Sequence, residues 1–393
     1  MYYMKKIILG LAVIVFFIAP YAYASDNLEV AGWVPYWRDS EGMKDAIKHL
    51  SQIDAVYPFV FTVKLDGTLY DNAGLGKKDW KSFIKAAQKK NVEIIPTVMW
   101  NDGASTHRIL SNPTLRKAHV SEIVAMVTKG KYDGVGIDYE GKNAETINFF
   151  SQFLKELKEA LGTKILTCTI EARTPPDSLY KEVPATITYA NDYKEIAKYC
   201  DRIEIMAYDQ QRADIKLNSE RRGVPYMPVS DTDWVKKVAK LAVETLPKEK
   251  IILGMATYGN HWEVTVAPDW FKDYRRIGAL NVPDILDLAK EYKIKPVRST
   301  GGEMTFAYVP KTASKEVKKA LKVAKNAKGS AVWEKALEYA NKTGKTVTIN
   351  LAVYSDALAM KDKIDLAKEY NFRGVALFKI DGEEDQKVWN YLK

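Results

Sequence analysis

"KYDGVGIDYEGK", residues 131–142, is the stretch on which the fold turns. Three acids, Asp133, Asp138 and Glu140, fall within eight positions of an otherwise apolar, glycine-containing run. Burying a carboxylate costs several kcal/mol unless something compensates it. "GVGIDY" nevertheless reads as a core strand. Side chains alternate faces along a strand, so positions 136, 138 and 140 point the same way, and two residues span about 6.6 Å. Asp138 and Glu140 therefore share the inner face, close to the C-terminal mouth of a barrel strand, where barrel enzymes place reacting groups. A pair of carboxyls at that separation suits acid/base work on a glycosidic bond.

Outward from this stretch, similar apolar runs recur: "LEVAGWVPYW", "AVYPFVFTV", "EIIPTVMW", "ILTCTI", "RIEIMAYD", "IILGMATYG" and "GVALFKI". Helical patterns such as "DWKSFIKAAQKKN", "AETINFFSQFLKELKEALG" and "TDWVKKVAKLAVETLP" separate most of them, the last with Thr232 or Asp231 as N-cap. Eight buried strands alternating with helices predict an α/β fold, a closed (β/α)8 TIM barrel. A doubly wound open sheet is the alternative, but no GxGxxG follows the first strand. More than a hundred residues separate Gly259 from Gly374, too many for one βα connection. They hold a helix near 283–292, strand-like "MTFAYV" and "TVTINLAVY", and a Lys-rich helical stretch at 313–343. The expected organisation is a signal segment at 1–24, a barrel at 25–262 and 346–393, and a small α+β insertion at 263–345.

The signal segment is expected from "MYYMKK", an apolar "IILGLAVIVFFIA" too short for a comfortable membrane span, and the small-x-small "AYA" before Ser25. An uncleaved N-terminal anchor is the alternative. The chain is expected to be exported to the medium or cell envelope, without stable membrane insertion once cleaved. Apolar content of 47% and charged content of 28% are those of an ordinary globular protein. The net charge is +9, and loss of Lys5 and Lys6 leaves 57 basic against 50 acidic residues, or +7. No nucleic-acid module is visible, and a monomer is expected. The two cysteines form no disulfide framework. Cys168 lies inside an expected strand and Cys200 precedes the next, so unequal depths favour two buried thiols. CxxC and HExxH are absent and the four His are scattered, so neither metal nor cofactor is expected.

"DGVGIDYE" resembles the DxxDxDxE motif of glycoside hydrolase family 18, the chitinase and endo-N-acetylglucosaminidase family. Asp133 matches its first acid, Asp138 its last Asp and Glu140 its Glu, while the middle Asp is Gly136. "AGWVPYW", "YPFVFTVKLDGTL", "IMAYD", "GMATYGNHW" and "GVALFKIDGEED" resemble further segments of the family in order, with Phe378 where a Trp is usual. The resemblance implies that Glu140 is the general acid and that the substrate's own 2-acetamido oxygen is the nucleophile. It implies that Asp138 orients the acetamido group, that Tyr208 donates its hydroxyl to it, and that Met206 and Asp209 line the sugar site. Phe378 is a candidate floor for the reacting sugar. Trp262 and Trp37 are candidates for stacking sugars in the cleft. Tyr36 and Phe59 are candidates too, with barrel filling the alternative, and Glu171 either faces the cleft or pairs at the barrel rim. Gly136 cannot hydrogen-bond Asp138 as the family's middle Asp does. Some spore-wall and peptidoglycan-directed members of the family also lack that Asp, often with Asn instead, so the resemblance favours bacterial wall glycan over chitin as the N-acetylglucosamine-containing partner. A chitinase-like lectin on the same fold is the competing reading, and the presence of Glu140 argues for the enzyme.

Overall fold

The structure, a computed structural model, describes residues 28–392, so the expected signal segment lies outside the described residues. Eight parallel strands form the central barrel: β1 (Glu29–Pro35), β2 (Ala55–Val63), β3 (Thr97–Trp100), β4 (Gly134–Tyr139), β5 (Ile165–Glu171), β6 (Arg202–Met206), β7 (Ile251–Ala256) and β8 (Gly374–Phe378). Each pairs in parallel with its neighbour, and β8 pairs with β1 to close the ring. Both faces of these strands are covered, which is why their sequences read as nearly continuous apolar runs.

Inside the barrel, Ala31, Trp33, Ala55, Tyr57, Phe59, Ile95, Ile252 and Ala376 form one cluster. Alanines and large rings both come from β1 and β2, Ala31 with Trp33 and Ala55 with Tyr57 and Phe59, and together they fill the barrel as a packed core. Outside, helices cover the sheet with one apolar stripe each. In the helix Ile147–Leu161 the buried residues are Phe150, Phe153, Leu154, Leu157 and Leu161, at helical spacing. The helix Thr232–Ala242 starts at Asp231, whose carboxylate accepts the Asp233 N–H at 2.8 Å. The N-terminal end of the barrel is closed by charge: Arg202 pairs with Glu29 at 3.0 Å and with Glu93 at 2.6 Å.

The cysteines correct the sequence reading. Cys168 and Cys200 are joined in a disulfide, with Cα atoms 6.0 Å apart. Comparing depths along two strands was the wrong test, because Cys200 is not in a strand. It ends the helix Tyr193–Tyr199, and the turn after it folds across β5, where Asp201 N–H donates to Leu166 O at 2.8 Å. That crossing brings Cys200 against Cys168.

The connection between β7 and β8 builds a second, five-stranded sheet of strands Tyr258–Ala267, Trp270–Asn281, Val297–Arg298, Met304–Tyr308 and Val347–Tyr354. Trp262, Val264, Phe306, Ile349 and Leu351 form its core together with residues of the helices Val282–Tyr292 and Ala331–Thr343. The ladder runs from the Gly259–Tyr354 pair to the Val266–Val347 pair. The sheet therefore reaches from 258 to 354, beyond the expected insertion limits of 263 and 345. The Lys-rich stretch is two helices, Lys315–Ala320 and Ala331–Thr343, with the short strand Ala327–Lys328 between them. Glu303 ties this sheet to the barrel: its carboxylate accepts the Val229 and Ser230 N–H groups at 2.9 Å each and the Ser355 hydroxyl at 3.0 Å.

Candidate active site

The C-terminal mouth of the barrel gathers the acids singled out from the sequence. Glu140 follows β4 directly, and its N–H donates to Trp100 O at 2.8 Å, which fixes the turn out of the strand. Asp138, two residues deeper, is 4% exposed, and its Oδ1 has no hydrogen-bond partner. Burial pushes its carboxyl well above the ordinary Asp range, and the charges of Glu140, Glu171 and Glu204 push the same way, against Lys142. The Glu140 carboxyl is also raised, first by burial and then by Glu171 and Asp209, with Lys142 opposing. A carboxyl held up in this way keeps its proton closer to neutral pH, as a general acid must.

Tyr208 follows β6 and lies flat against Phe378 at the end of β8, with ring centroids 5.6 Å apart and planes 14° from parallel. Phe378 also meets Phe59 and Trp33 edge-on, at 6.0 and 5.8 Å, so one side of its ring closes the barrel core. Burial keeps the Tyr208 hydroxyl protonated, reinforced by Asp138, Asp209 and Glu140. Met206 is half-buried at the end of β6. Asp209 is exposed, with φ +54°, and its carboxylate is bonded by Tyr258 and approached by Asn260 Nδ2 at 3.4 Å.

The aromatic candidates divide. Tyr36 and Trp37 are 36% and 47% exposed just past β1, and Trp37 meets Phe59 edge-on at 5.7 Å. Phe59 is 7% exposed and packs inside the barrel. Trp262 is a correction. It is 3% exposed and belongs to the core of the second sheet, because the chain after β7 enters the strand Tyr258–Ala267 where a cleft loop was expected. Glu171 accepts from Asn191 Nδ2 at 2.6 Å, without an ion pair among the described residues. Asn191 also lines a surface cleft of about 760 Å³, together with Glu145, Arg173 and Tyr189 among others.

Sequence reading missed several groups here. Lys142 is 8% exposed, bonds Tyr139 O and lies 4.5 Å over the Phe150 ring, and its ammonium acts on Asp138 and Glu140 together. Its place two residues after Glu140 was the available signal. Tyr258, Asn260 and Arg276 come from the second sheet, and Arg276 donates to Asn260 Oδ1 at 3.0 Å. Glu204, fully buried on β6, faces Tyr57 of β2 across the barrel. Gly136 has little space: a Cβ there would lie 2.9 Å from Thr167 Oγ1 and 3.2 Å from Thr97 Oγ1, and the latter already accepts from Trp33 Nε1 at 3.2 Å.

A closed parallel barrel with a raised carboxyl just beyond β4 and a buried acid beneath it is the architecture of a barrel glycosidase. The chain belongs to the glycosyl hydrolases family 18, whose sequence profile matches residues 29–383. It is similar to the uncharacterized glycosylase YvbX of Bacillus subtilis, with 23% identity over 99% of both chains. The spore cortex-lytic enzyme SleL of Bacillus cereus has the same fold, with a TM-score of 0.67 and 19% identity over 93% of this chain and 74% of that one. So does a chitinase from Chromobacterium violaceum, with a TM-score of 0.67 and 19% identity over 93% and 98% of the two chains.

Proposed function

We propose that this glycosidase cleaves β-1,4-linked N-acetylglucosaminides by substrate-assisted, retaining catalysis, acting outside the cytoplasm on bacterial wall glycan first and chitin oligomers second. The observation that carries the reading is Asp138: a buried carboxyl with one unpartnered oxygen, at the same mouth as Glu140 and Tyr208. A buried polar atom without a partner is costly, and an acetamido N–H of the substrate would satisfy it. With the acetamido group held by Asp138 and the Tyr208 hydroxyl, its oxygen attacks the anomeric carbon. Glu140 protonates the departing glycosidic oxygen, and an oxazolinium forms. Asp138 faces the positive charge of that intermediate, which is where binding accelerates the reaction. Glu140, now ionised, takes a proton from the water that opens the ring. Gly136 in place of a middle acid supports a wall substrate.

The test is incubation of the purified protein with peptidoglycan and with chitin oligomers, and mass analysis of the products. Muropeptides or shortened oligomers are expected, with inhibition by a thiazoline mimic of the oxazoline. Efficient cleavage of a fully N-deacetylated polymer without thiazoline inhibition would overturn substrate assistance.

A further inference from the structure

The charge of this protein is concentrated in one place. Residues 311–345 hold ten lysines and three glutamates, with no arginine or aspartate, a net of +7. The remainder of the chain from Ser25 onward balances, with 47 basic against 47 acidic residues. All ten lysines, from Lys311 to Lys345, are exposed. Among the described residues only Lys311 of the ten has an ion-pair partner, Glu291. The chain also gathers them. Lys318 Nζ reaches Lys311 O, and Lys335 Nζ reaches Lys322 O. Lys328 stands directly opposite the exposed Lys295 in the parallel ladder Ile294–Lys295 with Ala327–Lys328. Like charges in register oppose folding, so this arrangement is not explained by stability.

We infer that this lysine face is a docking surface for the carboxylate-bearing glycan-peptide mesh of a bacterial wall, and that it holds the enzyme on its insoluble substrate. The inference rests on the wall-glycan reading above. Its chemistry is complementary. A mesh with free carboxylates repeats negative charge over distances longer than any single site. Lysine ammoniums on flexible stems follow such a charge pattern as point charges, without the fixed bidentate geometry of arginine. Chitin is uncharged and would gain nothing from this face.

The experiment uses the full protein carrying Glu140→Gln, so that the polymer stays intact. It is cosedimented with purified wall sacculi freed of phosphate-bearing polymers, and with chitin powder, at 50 and 500 mM NaCl. Binding to sacculi is expected to fall about tenfold or more at the higher salt, because exposed charges are screened within a few ångströms there. The variant K315Q/K318Q/K319Q/K322Q is expected to lose a similar factor at low salt while hydrolysing a soluble, uncharged oligomer at the wild-type rate when Glu140 is restored. Sacculi whose carboxylates are capped as amides should no longer bind. Undiminished binding of the lysine variant, salt-independent binding, or equal binding to capped sacculi would overturn the inference. So would loss of binding on removing the phosphate polymers alone. None of these outcomes touches cleavage of soluble oligomers, so a failure here is distinct from a failure of the catalytic reading.

Discussion

Glu204 gives the sharpest physical test. It is fully buried on β6. In a ring of eight strands β2 and β6 are opposite, so Glu204 and Tyr57 meet at the barrel axis, between the small residues Gly136 of β4 and Ala376 of β8. Burial raises its carboxyl from 4.5 to about 7, against the opposing pull of Tyr57 and Arg202. The sign follows from proton counts. Between about pH 4.5 and 7 the folded chain holds a proton on Glu204 that the unfolded chain has released, so stability falls as pH rises through that window. A shift of that size is worth about 3 kcal/mol in full, of which about 2.5 kcal/mol falls between pH 5 and 8. With roughly 2 cal/mol/K of unfolding entropy per residue, a chain of this length loses about 3 °C in Tm from this group. Glu204→Gln removes the titration. Thermal melts of wild type and variant at pH 5 and pH 8 should therefore converge or cross, with the variant gaining about 3 °C relative to wild type at pH 8. Comparing two pH values cancels whatever the amide itself costs in the core. An identical Tm difference at both would show that Glu204 is ionised, or protonated, throughout, and would refute the reasoning.

Glu140→Gln should lower kcat by about 10² to 10⁴ with the fold and glycan binding retained, measured as initial rates on a soluble oligomer, because the amide has no proton to give. Lys142→Met should move the whole pH profile of kcat/KM to higher pH, since its ammonium lowers both Asp138 and Glu140. An unmoved profile would assign Lys142 to packing alone. Replacing Cys168 and Cys200 together by alanine should cost about 3 to 4 kcal/mol, the chain entropy of a closed loop spanning 32 residues, read as a drop of about 5 °C in Tm. Gly136→Asp should destabilise by about 1 to 3 kcal/mol, because its Cβ must displace Thr167 Oγ1, and denaturant titration would show it.

The sequence by itself determined the barrel and the strand that carries the paired acids. Strands covered on both faces read as apolar runs, and the period of two put Asp138 and Glu140 on one face, so local pattern was sufficient. Tyr208 and Phe378 were singled out by the family resemblance alone, since nothing in the alternation of their strands marks either residue. What sequence could not supply is contact between segments far apart in the chain. Trp262 looked like a cleft residue until the Tyr258–Ala267 strand carried it into a second core. Cys200 met Cys168 only because a turn crosses the outside of β5. Glu204 looked like one acid in an ordinary strand, and its burial against Tyr57 exists only once the ring closes and brings β2 opposite β6. Side-chain alternation is set by neighbours in the chain, whereas burial, disulfide pairing and the charge state of a core acid are set by whatever the closed barrel places across from them.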